Sequence, residues 1–179
     1  MRFNSMIVFR TSMVLAIALA GVSVSAQVTA EKVASSVSDA DRAFMTEAAT
    51  GGLAEVELGR LAARKGKSAS VRAFGQRMVR DHSRANVQLK SLARSKRVAL
   101  PAALTEEQKA DRAKLQNLSG ADFDREYMSM MVDDHDKDVA AFQDKSSSAS
   151  DAGLRAFATK TLPTLQQHQK MAHDIKDKM

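Results

Sequence analysis

The sequence has 179 residues, a formal net charge of +6 and no cysteine. This length suits one domain, and the absence of thiols excludes disulfides and thiolate metal ligands. The positive charge is too small to predict a nucleic-acid partner.

The first 26 residues are predicted to be a secretory signal peptide. Two arginines precede the apolar run "TSMVLAIALAGVSV", and Val24 and Ala26 occupy the −3 and −1 positions of a cleavage site. The run is short for a membrane span, although an uncleaved anchor is the alternative. We therefore expect an exported, periplasmic protein that begins near Gln27 and has no transmembrane span.

Helical periodicity dominates the rest of the chain. Residues 27–38 are polar and small, and we interpret them as a flexible leader. A first helix is predicted to begin near Asp39 or Asp41 and to end at Gly66. The pair at 51–52, two glycines inside this helix, predicts either the close approach of a neighbour or a local bend.

A second helix is predicted to begin after Ser68 or Ser70 and to end before Pro101, because proline cannot continue a helix. Thr105 then starts a shorter helix, with Gln108 completing a capping box. This short helix is predicted to end at about residue 118.

The third long helix is predicted to begin near Asp122, and "SSSAS" at 146–150 is interpreted as a linker and helix cap. The last helix covers 151–177, where Pro163 is expected to introduce a kink and to free the carbonyl of Thr159. Four long amphipathic helices and one short one predict an all-α four-helix bundle over residues 39–177.

A five-residue phrase occurs twice, as "MVRDH" at 78–82 and "MVDDH" at 131–135. Only the middle residue changes, from Arg80 to Asp133, so we expect this position to face water and the other four to be fixed by their surroundings. The alignment also pairs Phe74 with Tyr127. We therefore interpret the second and third long helices as equivalent elements of a pseudo-symmetric bundle.

Four segments resemble a known family: "EVELGRLAARKG", "MVRDHSRANVQL", "LSGADFDREYMSMMVDDH" and "LPTLQQHQKMAHD". They are similar to the domain-of-unknown-function family numbered 4142, whose members are often labelled predicted outer membrane proteins. The resemblance covers about residues 39–177. It implies an exported ferritin-like four-helix bundle, and it implies no known activity.

Each long helix carries one ionisable residue on its inward stripe: Glu55, His82, His135 and His168. Three imidazoles and a carboxylate suit one transition-metal ion, such as Zn, Cu or Fe. The alternative is a buried hydrogen-bond network that fixes the register of the helices.

A di-iron site is not expected. Ferritin-like di-iron sites take Glu from two helices and Glu-x-x-His from the other two. The residues three positions before the histidines are apolar instead: Val79, Val132 and Leu165.

Several neighbouring residues have two interpretations. Met78 and Met131 lie one turn before histidines, where thioethers would suit Cu(I), but methionine also fills gaps in helical cores. Asp81 and Asp134 either orient a histidine of an adjacent helix or face water. The remaining histidine, His173, lies off the main stripe and is not included in the site.

Two other charged motifs carry no predicted site. "DDHDKDV" at 133–139 resembles a calcium loop, but Val139 and Lys145 occupy the positions that need Gly and Glu, so it is interpreted as a solvated helical face. "RSKR" at 94–97 lacks the interleaved aromatic residues of a nucleic-acid site.

Three functions are therefore open from the sequence. The first is an exported helical bundle that binds one transition-metal ion at its polar centre. The second is a metal-dependent oxidase or peroxidase acting at that centre. The third is a structural or interaction domain without a ligand, and a homo-oligomer is compatible with all three.

Overall fold

The computed structural model of the protein describes residues 37–179, which contain five α-helices. The predicted signal peptide and residues 27–36 of the predicted leader lie outside the described residues. Val37 packs into the core, and the Ser38 side chain accepts a hydrogen bond from the Asp41 N–H at the start of the first helix. Within residues 37–179, none of the helices combines the length and the apolar character needed to cross a membrane.

The helices are α1 (Asp39–Lys65), α2 (Ala69–Ser95), α3 (Glu106–Asn117), α4 (Gly120–Ser148) and α5 (Ala152–Lys176). Polar side chains cap the N-termini of four of them, and the predicted capping box of Thr105 and Gln108 is present at α3. The predicted all-α fold, with a short extra helix before the third long one, is confirmed.

The start and end of α4 differ from the prediction. The helix begins at Gly120 rather than near Asp122, and it runs on to Ser148, so three serines of the predicted linker are helical. The Ser146 and Ser147 hydroxyls donate hydrogen bonds to carbonyls three residues earlier, which satisfies them without ending the helix. In α5 the helix continues through Pro163, and the kink stays a prediction.

Two buried aspartates fix the ends of the bundle. At one end, Asp41 of α1 accepts hydrogen bonds from the Ser150 hydroxyl (2.6 Å) and the Asp151 N–H (3.0 Å), between α4 and α5. At the other end, Asp124 of α4 accepts two N–H groups from residues 67–68, in the turn between α1 and α2. Because the start of α1 meets the end of α4, these two helices are antiparallel.

The four long helices pack in a closed square in which α1 contacts α2, α2 contacts α5, α5 contacts α4, and α4 contacts α1. Neighbours are antiparallel, so α2 and α4 lie diagonally opposite and run in the same direction. Residues 96–119, which include α3, form the long crossover between them. Ferritin-like folds are among the bundles with one long crossover, and the ferritin-like grouping stays a prediction.

Two apolar clusters fill the bundle, one toward each end. One contains Phe44, Phe142 and Phe157, and the other contains Phe74 and Phe123. On every long helix, the polar residue predicted to face inward lies between the residues of the two clusters. The packing therefore leaves one polar layer between two apolar layers.

The backbones of α1 and α2 approach each other closely at Gly59 and Gly75, where a Cβ atom on Gly75 would lie 2.7 Å from the Gly59 carbonyl oxygen. The predicted close approach also holds for Gly52, whose missing Cβ makes room for the Asn86 side chain. Gly51 faces open space.

Candidate metal centre

The four predicted site residues meet in the polar layer, each contributed by a different long helix. All four are buried, with at most 5% of the residue exposed. The three imidazole ring centroids lie 5.2 to 5.6 Å apart, which makes a nearly equilateral triangle. Glu55 Oε2 lies 2.6 Å from His82 Nδ1. The predicted convergence of these side chains is confirmed.

Two rings are hydrogen-bonded at one nitrogen to an oxygen atom: His135 Nδ1 to the Met131 carbonyl (2.8 Å) and His168 Nε2 to Asp81 (2.9 Å). His82 Nδ1 lies 2.6 Å from the Glu55 carboxylate. A carbonyl only accepts, so His135 Nδ1 carries the proton and its Nε2 carries the lone pair when the ring is neutral. These hydrogen bonds fix the orientation of the His135 and His168 rings, and the Glu55 contact restrains the His82 ring.

The second nitrogen of each ring has no hydrogen-bond partner in the described part of the chain, and each of these atoms is buried: His82 Nε2, His135 Nε2 and His168 Nδ1. One nitrogen from each ring lies within 4.8 Å of those from the other two. An unpaired buried polar atom costs about 1–3 kcal/mol, so three in one layer call for a common partner.

Burial controls the protonation of the centre. It lowers the pKa of His82 to about 4 and that of His168 to about 3, and it also lowers the pKa of His135. All three imidazoles are therefore neutral at physiological pH, which is the form that ligates metals. Burial raises the pKa of Glu55 to about 7, so this carboxyl group can release its proton when a cation arrives.

The structure decides between the two interpretations for some of the residues that neighbour the site. Asp81 orients a histidine of an adjacent helix, as one interpretation held, through its contact with His168. Asp134 lines a cavity between α1, α3 and α4. Met78 and Met131 are fully buried in an apolar cluster, as expected of core residues.

The repeated phrase and the excluded histidine also behave as predicted. Arg80 and Asp133 are exposed, whereas the equivalent Phe74 and Tyr127 are fully buried. His173 is exposed and bonds Asp136 at 3.0 Å on the surface.

Comparisons with known proteins give a family and a fold. The model of the domain of unknown function DUF4142 matches residues 26–175, and none of the curated proteins matches. The fold is similar to that of a DUF305 fragment from Deinococcus radiodurans, with a TM-score of 0.70, 12% identity, and coverage of 80% of this chain and 99% of that chain.

A second similar structure is CopM in the Cu(I)-bound form, with a TM-score of 0.63 and 13% identity. The match covers 75% of this chain and 93% of that chain. At such low identities the likeness to both structures concerns the fold alone.

Proposed function

This chain belongs to the DUF4142 family, which has no assigned activity, and we propose that its three-histidine centre binds one transition-metal ion. The observation that supports this most directly is a trio of buried histidines that offer one nitrogen each within 4.8 Å of one another, with one unpaired nitrogen on every ring. His135 and His168 are each held from behind by an oxygen atom, of the Met131 carbonyl and of Asp81. Metal-ligating histidines almost always have such an outer partner, which orients the ring and raises its basicity.

Four atoms would hold the ion. The three unpaired ring nitrogens are the first ligands, and Glu55 Oε1 is the fourth. This oxygen is also unpaired and lies 3.5 Å from His135 Nε2. To ligate the ion, the carboxylate would leave its contact with His82 Nδ1. Nitrogen and carboxylate ligands in this number suit Zn, Cu or Fe. CopM was solved with Cu(I), so we include Cu(I) among the ions to be tested.

The same atoms argue against a purely structural hydrogen-bond network. A network that fixes helix register is stable only when every buried member is satisfied. Here Glu55 Oε1 and three ring nitrogens remain without partners among the described residues. A single bound cation would satisfy all four at once.

We place this function outside the cytoplasm, on the strength of the predicted signal peptide.

The metal content of the untagged protein tests the proposal. After incubation with Zn²⁺, Cu(I) or Fe²⁺ and removal of excess ion, elemental analysis is expected to find one ion per chain for at least one metal. The His82→Ala/His135→Ala double variant should hold none. The His173→Ala variant is the matched control, because this histidine is exposed and lies off the centre, and it should bind like the wild type. Equal metal content in the wild type and the double variant would contradict the proposal.

Asp81 should act as a positioning residue for the bound ion. Replacement of Asp81 by Asn keeps His168 but exchanges its charged hydrogen-bond acceptor for a neutral one. Loss of an outer partner typically costs about 10- to 100-fold in metal affinity. We expect the Asp81→Asn variant to keep one site per chain with a weaker dissociation constant, measured by competition with a chromophoric chelator. Asp136→Asn is the control, because Asp136 pairs with the non-ligating His173. Equal affinity of Asp81→Asn and wild type would show that Asp81 does not support the site.

A metal-dependent oxidase or peroxidase is a second candidate function, favoured by one feature. A cavity of about 300 Å³ between α2 and α5 is lined by His82 and His168, so a small molecule could reach the centre. Turnover of peroxide or dioxygen by the metal-loaded protein would support this activity. If the loaded protein shows no turnover, metal binding without catalysis remains as the proposed function.

A further inference from the structure

Two cavities reach the polar centre from different sides of the bundle, and their charges are opposite. The cavity between α2 and α5 is bordered by three basic side chains and one acidic one: Arg77, Arg84, Lys160 and Asp81. The other cavity, of about 280 Å³ between α1, α3 and α4, is bordered by five acidic side chains and one basic one: Glu55, Glu107, Asp111, Asp134, Asp138 and Lys137.

The acidic cavity has matched walls on two helices. Glu107 and Asp111 lie one turn apart on α3, and Asp134 and Asp138 lie one turn apart on α4, so each pair shares one face of its helix. Clefts lined by one sign of charge concentrate ions of the opposite sign and raise their rate of association. Burial raises the pKa of Asp134 to about 6 and raises that of Asp138 well above its usual value, so the negative charge at neutral pH is concentrated on the α3 wall. This wall of the acidic cavity attracts cations, and the basic cavity repels them.

The inner end of the acidic cavity leads to the histidines. Glu55 forms part of its wall, is 3% exposed and has an unpaired oxygen, Oε1. A smaller cavity of about 20 Å³ is bordered by Glu55, Asp138 and His82 together. A space of this size holds about one water molecule. Glu55 and Asp138 thus belong to both cavities and connect the acidic cavity with His82.

The acidic side chains are arranged to attract a cation rather than to chelate it. Among residues 37–179, the one group of three or more ligating side chains close enough to hold an ion is the histidine trio. We infer that the acidic cavity is the route by which the metal cation enters the histidine centre, an inference that rests on the proposed metal binding.

Uptake kinetics test this route with Co²⁺ as the probe, since its visible absorption reports coordination. The Glu107→Gln/Asp111→Asn double variant removes two charges from the cavity at α3 side chains that are exposed or half-buried and far along the chain from the ligands. Its association rate constant at low salt should be about 3- to 10-fold below that of the wild type. The spectrum of the bound ion should be unchanged, and the difference in rate should shrink as salt screens the charges.

Two controls make the result specific. Glu106→Gln removes one charge from the same helix at an exposed residue that does not border the cavity, and it should leave the rate nearly unchanged. Arg84→Gln/Lys160→Gln alters the basic cavity and should not slow uptake. Wild-type rates for the acidic double variant, or slowing by the basic variant instead, would overturn the entry route while leaving metal binding intact. Failure of the wild type to bind Co²⁺, Zn²⁺ or Cu(I) at all would overturn both.

Discussion

Replacing Gly75 by alanine is expected to lower the free energy of unfolding by about 1 to 3 kcal/mol, the usual cost of overpacking. The added Cβ would lie 2.7 Å from the Gly59 carbonyl oxygen and 2.9 Å from the Ala63 backbone nitrogen. Both atoms belong to the backbone of α1, so neither can rotate away. The two helices would have to separate, which would loosen the layer that holds Glu55 against His82.

Gly51→Ala is the matched control, and the expected change has the opposite sign. Gly51 also lies inside α1, but a Cβ atom there meets nothing within 4 Å. Alanine should therefore stabilise the protein by about 0.5 to 1 kcal/mol through the lower entropy cost of fixing its backbone. Urea denaturation of both variants checks the pair, and equal destabilisation by the two substitutions would contradict the packing at Gly75.

Much of the fold could be predicted from the sequence because local signals specify where the helices begin and which face they bury. Ser68, Thr105 and Asp151 accept the N–H bonds that start helices, and apolar residues recur at helical spacing between them. The α1–α2 contact was harder to predict. The adjacent glycines at 51–52 form a visible pair, whereas Gly59 and Gly75, where the two backbones come close together, are far apart in sequence.

The four central side chains were predictable because each occupies an apolar stripe where a charged or polar residue is costly. The hydrogen-bond partners of these side chains were only partly predictable. Every residue has a carbonyl, so nothing in the sequence distinguishes the Met131 carbonyl that holds His135. Asp81 was a candidate, but its choice of His168 depends on how α2 and α5 pack.

The acidic cavity escaped prediction for a different reason. The motif at 133–139 fails as a continuous calcium loop, yet in a helix Asp134 and Asp138 share a face while Asp136 points away and bonds His173. The other wall comes from α3, of whose side chains only Leu115 is buried. Such a weakly amphipathic helix gives little indication of where it docks.

Binding of the proposed metal ion should change the stability of the fold by more than the Gly75→Ala substitution does. An ion that binds the folded chain and not the unfolded one stabilises it by about 4 kcal/mol when its free concentration is 1,000 times the dissociation constant. For a domain of this size, that corresponds to a rise in melting temperature on the order of 10 °C. We expect this rise for the wild type with Zn²⁺ or Cu(I), measured by circular dichroism.

The His82→Ala/His135→Ala variant should show no such rise, whatever its melting temperature without metal. It lacks two of the three unpaired ring nitrogens, and a single imidazole with one carboxylate cannot replace them. His173→Ala keeps the entire centre and should rise as the wild type does. A chelator should reverse both increases. Equal shifts in the wild type and the double variant would mean that the ion binds elsewhere on the chain. The surviving His168 and His173 could not form one site together, because His168 is buried beside Asp81 and His173 is exposed beside Asp136.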